Sequence, residues 1–204
     1  MTVSRQPKFL DLFAGLGGAS KAFLESGRWD VLRIDNNPLL ENVAQLDVKC
    51  VMEFRDWCRD NQAFIYESVD VIWASPPCYE FSTAYSAPRG IAERAGEDWN
   101  PSLELLEATL EIISILKPRY WVIENVMGSI KYFRDVLGEP TQIHDAIVLW
   151  GNYPMFKPEP FPSKAQKDKR HAGDMRMNIR AEIPIQISKA LLDAIECQKT
   201  IFDY

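Results

Sequence analysis

The chain has few cysteines, no long apolar run and no excess of positive charge, and each absence removes a class of protein. Its four cysteines, Cys50, Cys58, Cys78 and Cys197, show neither a C-x-x-C pair nor the dense spacing of a secreted disulfide framework, so reduced thiols are expected and no metal site is implied. The amino-terminal M-T-V-S-R-Q-P-K holds no apolar core of a secretion signal, and no apolar stretch approaches the ~20 residues that span a bilayer, so no membrane partner and a cytoplasmic location are expected. There is no internal repeat. With 204 residues and 47% hydrophobic composition the chain can bury one full core but not a second large one, which makes 1–204 a single domain and a monomer its simplest state. The formal charge of −6 disfavours indiscriminate binding to nucleic acid. That charge is unevenly spread, however: between Lys157 and Arg180 seven lysines and arginines face three acids, a local net of +4 that leaves −10 for the rest. Such a run is ordinarily a solvated loop.

What is present centres on residues 70–82, D-V-I-W-A-S-P-P-C-Y-E-F-S, an apolar run that stops at two prolines and a cysteine. Val71, Ile72 and Trp73 read as a short buried strand, and Pro76-Pro77 cannot continue a ladder, so Cys78 is held on a stiff turn at the strand's carboxyl end. Open α/β sheets bind their ligands there. An isolated P-P-C would be no more than a free cysteine in a proline turn. Here it is accompanied. A first strand is predicted over 9–13, Gly15, Gly17 and Gly18 turn the backbone tightly into a helix from about Ala19, and a second strand over 31–35 ends in Asp35. An acid about 20 residues beyond a glycine-rich turn is the acceptor that a pair of ribose hydroxyls needs.

Further along, the pattern predicts helices over 38–45 and 54–66, with Phe54, Trp57, Cys58 and Ile65 on an apolar stripe, and a third strand over 47–52. Residues 81–99 read as a long polar loop. Asn100 as N-cap and Pro101 in the first turn open a helix reaching Leu116. A strand over 120–123 delivers Glu124 to the same edge as Cys78, a helix covers 130–137, a strand 146–150, and a closing helix 183–197, with irregular, proline-rich backbone between the last two. The class is α/β, a doubly wound and mostly parallel sheet of the Rossmann-like kind.

Three motifs in one order carry a resemblance: D-L-F-A-G-L-G-G at 11–18, P-P-C followed by F-S at 76–82, and E-N-V at 124–126. Together they resemble the DNA cytosine methyltransferases that act at ring position 5, closely from about Lys8 to Gly128, and the chain reads as a compact, phage-like member with the host-cell cytoplasm as its place if viral. The resemblance implies S-adenosylmethionine as cofactor, with the Phe13 ring on its adenine, the backbone of Ala14, Gly15, Gly17 and Gly18 facing it, Asp35 and Asn36 at the ribose, Pro76 beside it, and an acid-plus-apolar pair at the end of the third strand. Glu53-Phe54 fits that pair by spacing and Asp47-Val48 by residue type. It implies duplex DNA with a flipped cytosine as partner, Cys78 as the nucleophile that adds at ring position 6, Glu124 as the group that protonates or hydrogen-bonds the ring nitrogen, and Pro77 and Asn125 as residues that keep the site's shape. Ser82 and Arg89 fall in the loop that closes over the flipped base in this family.

The chain departs from the family in two places and is short in a third. His144 and Ala146 stand where the family's Q-x-R-x-R has arginines, so the contact to the base carbonyl is either lost or supplied by Arg176 or another late arginine. Arg180 and Ala181 stand where Gly-Asn lies beside the methionine half of the cofactor. A guanidinium beside a sulfonium needs an anion, either Glu182 or Asp174, or a carboxylate on the cofactor itself, as in carboxy-S-adenosylmethionine, which would make the product carboxymethylcytosine. The recognition domain is reduced to 152–180, where Lys164, Lys167, Lys169 and Arg170 would hold phosphates. A tRNA-methylating enzyme and a non-catalytic DNA-binding remnant are the competing readings.

Overall fold

Alternation along each strand builds a two-faced core. The computed structural model describes residues 5–41, 47–61, 69–162 and 176–198. β1 (Lys8–Leu12), β2 (Asp30–Asp35), β3 (Asp47–Val48), β4 (Val71–Ala74) and β5 (Tyr120–Val126) are parallel, and β6 (Gln142–His144) and β7 (Ile147–Asn152) are added antiparallel at one edge, in the order β3-β2-β1-β4-β5-β7-β6. Phe9, Val71, Trp73, Val122 and Leu149 point to one face, where α1 (Lys21–Ser26) and the last described helix, α7 (Ile185–Glu196), cover them. Leu10, Leu12, Ile72, Ala74, Ile123, Val148 and Trp150 point to the other, under α2 (Val51–Asp60), α4 (Glu104–Leu116) and α5 (Ile130–Leu137). The two faces follow from a side-chain period of two on strands buried on both sides. Because β2 and β4 flank β1, the order reverses beside β1, and a crevice opens at the carboxyl ends of β1 and β4. The fold is a Rossmann-like methyltransferase α/β fold.

Several expected elements differ, each for a local reason. The third strand is two residues long, pairing with Ile34 and Asp35, because the chain turns into α2 at Val51. Glu53 is therefore not at a strand end: it lies in the first turn of that helix and accepts from the Cys50 N–H at 3.3 Å, the back half of a capping box. Helix α2 ends at Asp60, and Ile65 lies outside the described residues. The stretch read as a loop over 81–99 contains α3 (Pro88–Ala95), with proline at its start and Gly96 at φ 74° just past its end. Helix α4 begins at Glu104, not at Pro101. The Ser102 N–H is spent on the Glu80 carboxylate at 2.9 Å and the Ser102 hydroxyl accepts from Glu104 at 3.3 Å, so the cap expected at Asn100 is displaced. Two pieces were not expected, the edge strand β6 and a short helix α6 (Arg176–Ala181).

Candidate active site

Asp11 lies on the face of β1 that carries Phe9, at the level where the strand runs into the glycine-rich turn, and it is fully buried. It is held by a short chain of polar groups. The Ser20 hydroxyl donates to Asp11 Oδ2 at 2.6 Å, Arg33 Nε donates to Ser20 Oγ at 2.8 Å, and Arg33 Nη2 donates to the Gly17 carbonyl at 3.0 Å. Burial pushes the Asp11 carboxyl up to about 7, against the opposing pull of the Ser20 hydrogen bond and the Arg33 charge. The sequence offered one hint, an acid inside the apolar strand K-F-L-D-L.

The turn after β1 is shaped by backbone, not by side chains. Phe13 sits at φ 57° and Gly15 at φ 53°, both left-handed, and the Gly15 N–H donates to Asp35 Oδ2 at 2.9 Å while Asn37 N–H donates to Asp35 Oδ1 at 2.9 Å. Asp35 thus ties the end of β2 to the turn. Gly17 and Gly18 make room for neighbours: a Cβ on Gly17 would lie 2.3 Å from the Arg33 guanidinium carbon, and one on Gly18 would lie 2.3 Å from the Ile183 carbonyl oxygen. The chain before α7 can therefore lie directly on the turn.

On the other side of the crevice, the segment after β4 is fastened on both flanks of Cys78. Asn125 Nδ2 donates to the Pro76 carbonyl at 2.9 Å, Trp73 Nε1 donates to Ser75 Oγ at 2.9 Å, and the Phe81 and Ser82 N–H groups both return to the Cys78 carbonyl, at 3.1 and 3.0 Å. Pro76 is buried and Pro77 exposed, while Cys78 is half-buried. Glu124 lies inside β5, opposite Leu149 of β7, and is 7% exposed. Its parity along the strand is that of Val122, so it faces the same side of the sheet as Asp11.

One cleft gathers these groups. Asp11, Phe13, Ala14, Gly15 and Leu16 line it from the first turn, Ser75, Pro76, Pro77 and Cys78 from the second, Glu124 from β5, and Asn178, Ala181, Glu182 and Ile183 from the late segment, around some 610 Å³ of space open to solvent on one side. The structure therefore brings together Phe13, Ala14, Gly15, Pro76, Pro77, Cys78, Glu124 and Ala181, all read as site residues from the sequence. Asp11, Leu16, Ser75, Asn178, Glu182 and Ile183 join them.

Other expected site residues are elsewhere. Phe54 is buried in the core beneath α2, 5.8 Å from the Trp57 ring, and Glu53 is spent on its helix cap, so neither lines the cleft. Asn36 is exposed beside Asp35, Gly17 and Gly18 act by packing, and Asn125 braces Pro76 from behind. Arg180 is exposed and does not line the cleft, whose charged side chains Asp11, Glu124 and Glu182 are all acids. That setting suits a cationic cofactor and gives no support to a carboxylated one. Ser82 Oγ accepts from the Ala84 N–H at 3.2 Å. Arg89 points inward, donating to the Phe81 and Gly128 carbonyls at 3.4 and 2.9 Å and pairing with Glu93 at 2.7 Å. Its side chain is 14% exposed. His144 stacks on Phe156 with ring centroids 5.2 Å apart, and burial lowers its pKa, so no cation stands in the arginine's place. Arg176 opens α6, and Lys164, Lys167, Lys169, Arg170 and Asp174 lie outside the described residues. Among the described residues no cluster of His, Cys, Asp or Glu could hold a metal ion, and no helix is long and apolar enough to cross a membrane.

Comparison with known proteins identifies the family of the chain. A protein of Frog virus 3 (isolate Goorha), named "Probable DNA (cytosine-5)-methyltransferase", is 30% identical over 123 residues, 58% of this chain and 53% of that one. The type II methyltransferase M.HgiGI of Herpetosiphon aurantiacus is 29% identical over 58% of this chain and 90% of its own length. The chain thus spans about half the length of the viral relative and nearly all of the bacterial one. Among solved structures, a SAM-dependent methyltransferase from Agrobacterium tumefaciens matches at a TM-score of 0.43 with 14% identity, over 74% of this chain and 57% of that one. The family model for C-5 cytosine-specific DNA methylases matches residues 7–134, which is more than half of the chain and contains all three motifs as well as Cys78 and Glu124. The chain belongs to the C-5 cytosine-specific DNA methylase family.

Proposed function

We propose that this protein transfers a methyl group from S-adenosylmethionine to ring position 5 of a cytosine in DNA, through a covalent adduct between Cys78 and a base turned out of the helix. The observation that carries the reading is the single cleft in which Cys78 and Glu124 face the glycine-rich turn. Cytosine is too electron-poor at ring position 5 to accept a methyl group directly, so a thiolate must first add at position 6. In this reading Cys78 adds from a turn that hydrogen bonds to its carbonyl and to the Pro76 carbonyl fasten on both flanks. Glu124, projecting from the adjacent strand, hydrogen-bonds or protonates the ring nitrogen as electrons move onto the ring, which makes the addition easier. After methylation the proton at position 5 leaves and the Cys78 sulfur is eliminated, which restores the double bond and the free thiol.

The cradle fits the cofactor on the chemistry of its donors. The Phe13 ring lines the cleft, no atom of a described residue other than its chain neighbours lies within 4 Å of where a Gly15 Cβ would be, and Glu124 and Glu182 give the acidic surroundings that a sulfonium and an ammonium favour. When bound, the cofactor supplies the electrophilic methyl carbon. Segment 152–180 is proposed as the reduced recognition segment of one methyltransferase domain.

Incubation with S-adenosylmethionine and unmethylated, amplified duplex DNA, followed by mass spectrometry of the nucleosides, should yield 5-methylcytosine. Cys78→Ala should yield none, and Glu124→Gln should slow the reaction by about 10²- to 10⁴-fold. A wild-type protein that binds the cofactor but leaves cytosine unmodified in every sequence context offered would overturn the reading.

A further inference from the structure

Arg89 was expected to meet DNA, yet the structure turns it away from solvent and onto two pieces of backbone. Its Nη1 donates to the Gly128 carbonyl at 2.9 Å and to the Phe81 carbonyl at 3.4 Å, its Nε pairs with Glu93 at 2.7 Å one turn along α3, and its guanidinium carbon lies 5.5 Å from the Tyr132 ring centroid. The two carbonyls belong to the two halves of the site. Phe81 closes the turn that begins at Cys78, since its N–H returns to the Cys78 carbonyl, and Gly128 lies four residues beyond Glu124, in the short helical turn Met127–Ser129 that directly follows β5.

The two backbones also touch directly. A Cβ on Gly128 would lie 2.1 Å from the Phe81 carbonyl oxygen, and one on Gly90 would lie 2.4 Å from the Ala84 carbonyl oxygen, so only glycine lets α3 and the end of β5 close this tightly on the Cys78 turn. Two further groups of that turn are fastened as well, the Glu80 carbonyl by Trp99 Nε1 at 2.8 Å and its carboxylate by the Ser102 N–H at 2.9 Å. A flexible loop of this length would leave those carbonyls to water.

We infer that Arg89 is a positioning residue: by bridging the Phe81 and Gly128 carbonyls it sets the Cys78 turn against the strand that carries Glu124, so that nucleophile and acid meet one base in register. The residues after Cys78 then form a pre-docked arm, and α3 exists to deliver the guanidinium. This rests on the proposed methyl transfer for its kinetic consequence, but not for its structural one. Misplacing a reacting group by about 1 Å can cost 10²-fold in rate. A group acting on alignment alone lowers kcat without raising KM, whereas a phosphate contact does the reverse and also carries a salt dependence.

Four proteins decide it: wild type, Arg89→Ala, Arg89→Lys and Gly128→Ala. On unmethylated duplex DNA, Arg89→Ala should lose about 10- to 100-fold in kcat with KM for DNA and its salt dependence unchanged. Arg89→Lys, which keeps the charge but is shorter and lacks the separate Nε that pairs with Glu93, should fall in between, and Gly128→Ala should reproduce the loss with the arginine intact. If Arg89→Ala does not fold, the other two variants carry the same prediction. The alkylation rate of Cys78 by iodoacetamide, resolved by peptide mass spectrometry with exposed Cys197 as the internal standard, should change several-fold in all three variants. That readout needs no turnover, so an inactive wild type would sink the methylation reading while leaving this one measurable. A raised KM with a salt slope shallower by about 1 would make Arg89 a phosphate contact and overturn the inference. Unchanged kcat and unchanged Cys78 reactivity would overturn it too.

Discussion

Asp11 sits where an apolar strand would ordinarily carry valine, and its setting couples the site to pH. Unfolded, its carboxyl releases a proton near 3.8; folded, it holds that proton up to about 7 because burial penalises the charge more than Ser20 and Arg33 favour it. A folded pKa above the unfolded one means that the contribution to stability is complete below pH ~4 and is lost as pH rises through 7. Asp11→Asn, whose amide oxygen can still accept from Ser20, should therefore be insensitive over this window. Relative to that variant, the wild type should lose about 2–4 kcal/mol between pH 4.5 and 7.5 in urea unfolding. Curves that stay parallel across the window would mean that Arg33 keeps Asp11 ionised throughout. The acid in K-F-L-D-L was visible in the sequence, but its partners were not, because Ser20 and Arg33 meet it only through the turn and the neighbouring strand. Cys78 and Glu124 were legible for the opposite reason: each ends or follows an apolar run whose direction puts it at one edge of the sheet.

Between elements, a joint beside the cleft is the seam of α1 and α7, whose preceding residues Ala19 and Ile183 line it. The Ser188 hydroxyl donates to the Ala19 carbonyl at 2.6 Å and accepts from the Ala22 N–H at 3.0 Å, so one buried oxygen satisfies both an orphan donor of the first helical turn and a loop carbonyl. Ser188→Ala strips both groups of this partner and leaves them buried, which should cost about 1–3 kcal/mol, read as a lower thermal midpoint with the unfolding slope unchanged. A midpoint equal to the wild type's would show that the seam is held by its apolar contacts alone. Strand alternation made the sheet readable, since Val71 to Ala74 and residues 120–123 carry hardly a polar group, but the helix boundaries were less so. Helix α4 was expected from the Asn100-Pro101 signal, yet the Glu80 carboxylate takes the Ser102 N–H and postpones the start to Glu104. Pro88 and Gly96 did punctuate α3 in the sequence. They were outweighed by the polar residues between them, because the buried face of that helix consists of Gly90 and Ala92, too small to register as a stripe.

At the scale of the whole molecule, the proposed DNA substrate raises the question of how a chain of net charge −6 would hold a polyanion. Glu124 and Glu182 line the cleft and no lysine or arginine among the described residues does, so in the proposed reaction the backbone of the nucleic acid would be gripped outside it while only the base enters. The seven lysines and arginines between Lys157 and Arg180 are a stretch with a marked positive excess, and the first of them, Lys157, shares a groove with His144 and Asp145 at the β6–β7 turn, on the side of the sheet where β5 ends. If they grip phosphates, converting Lys164, Lys167, Lys169 and Arg170 to glutamine should weaken binding equally for every duplex sequence and make log K less steep in log salt by about 0.9 for each phosphate no longer held. Fluorescence anisotropy with labelled duplexes of two unrelated sequences, at several potassium chloride concentrations, measures both effects. The same titration with a tRNA separates the two nucleic acids: a protein built for cytosine in DNA should favour the duplex at every salt concentration, and stronger retention of the tRNA would move the substrate to RNA. A salt slope that the four substitutions leave unaltered would reduce the basic run to a solvated loop and put the grip on Arg94, Arg119 or another cation of the described surface.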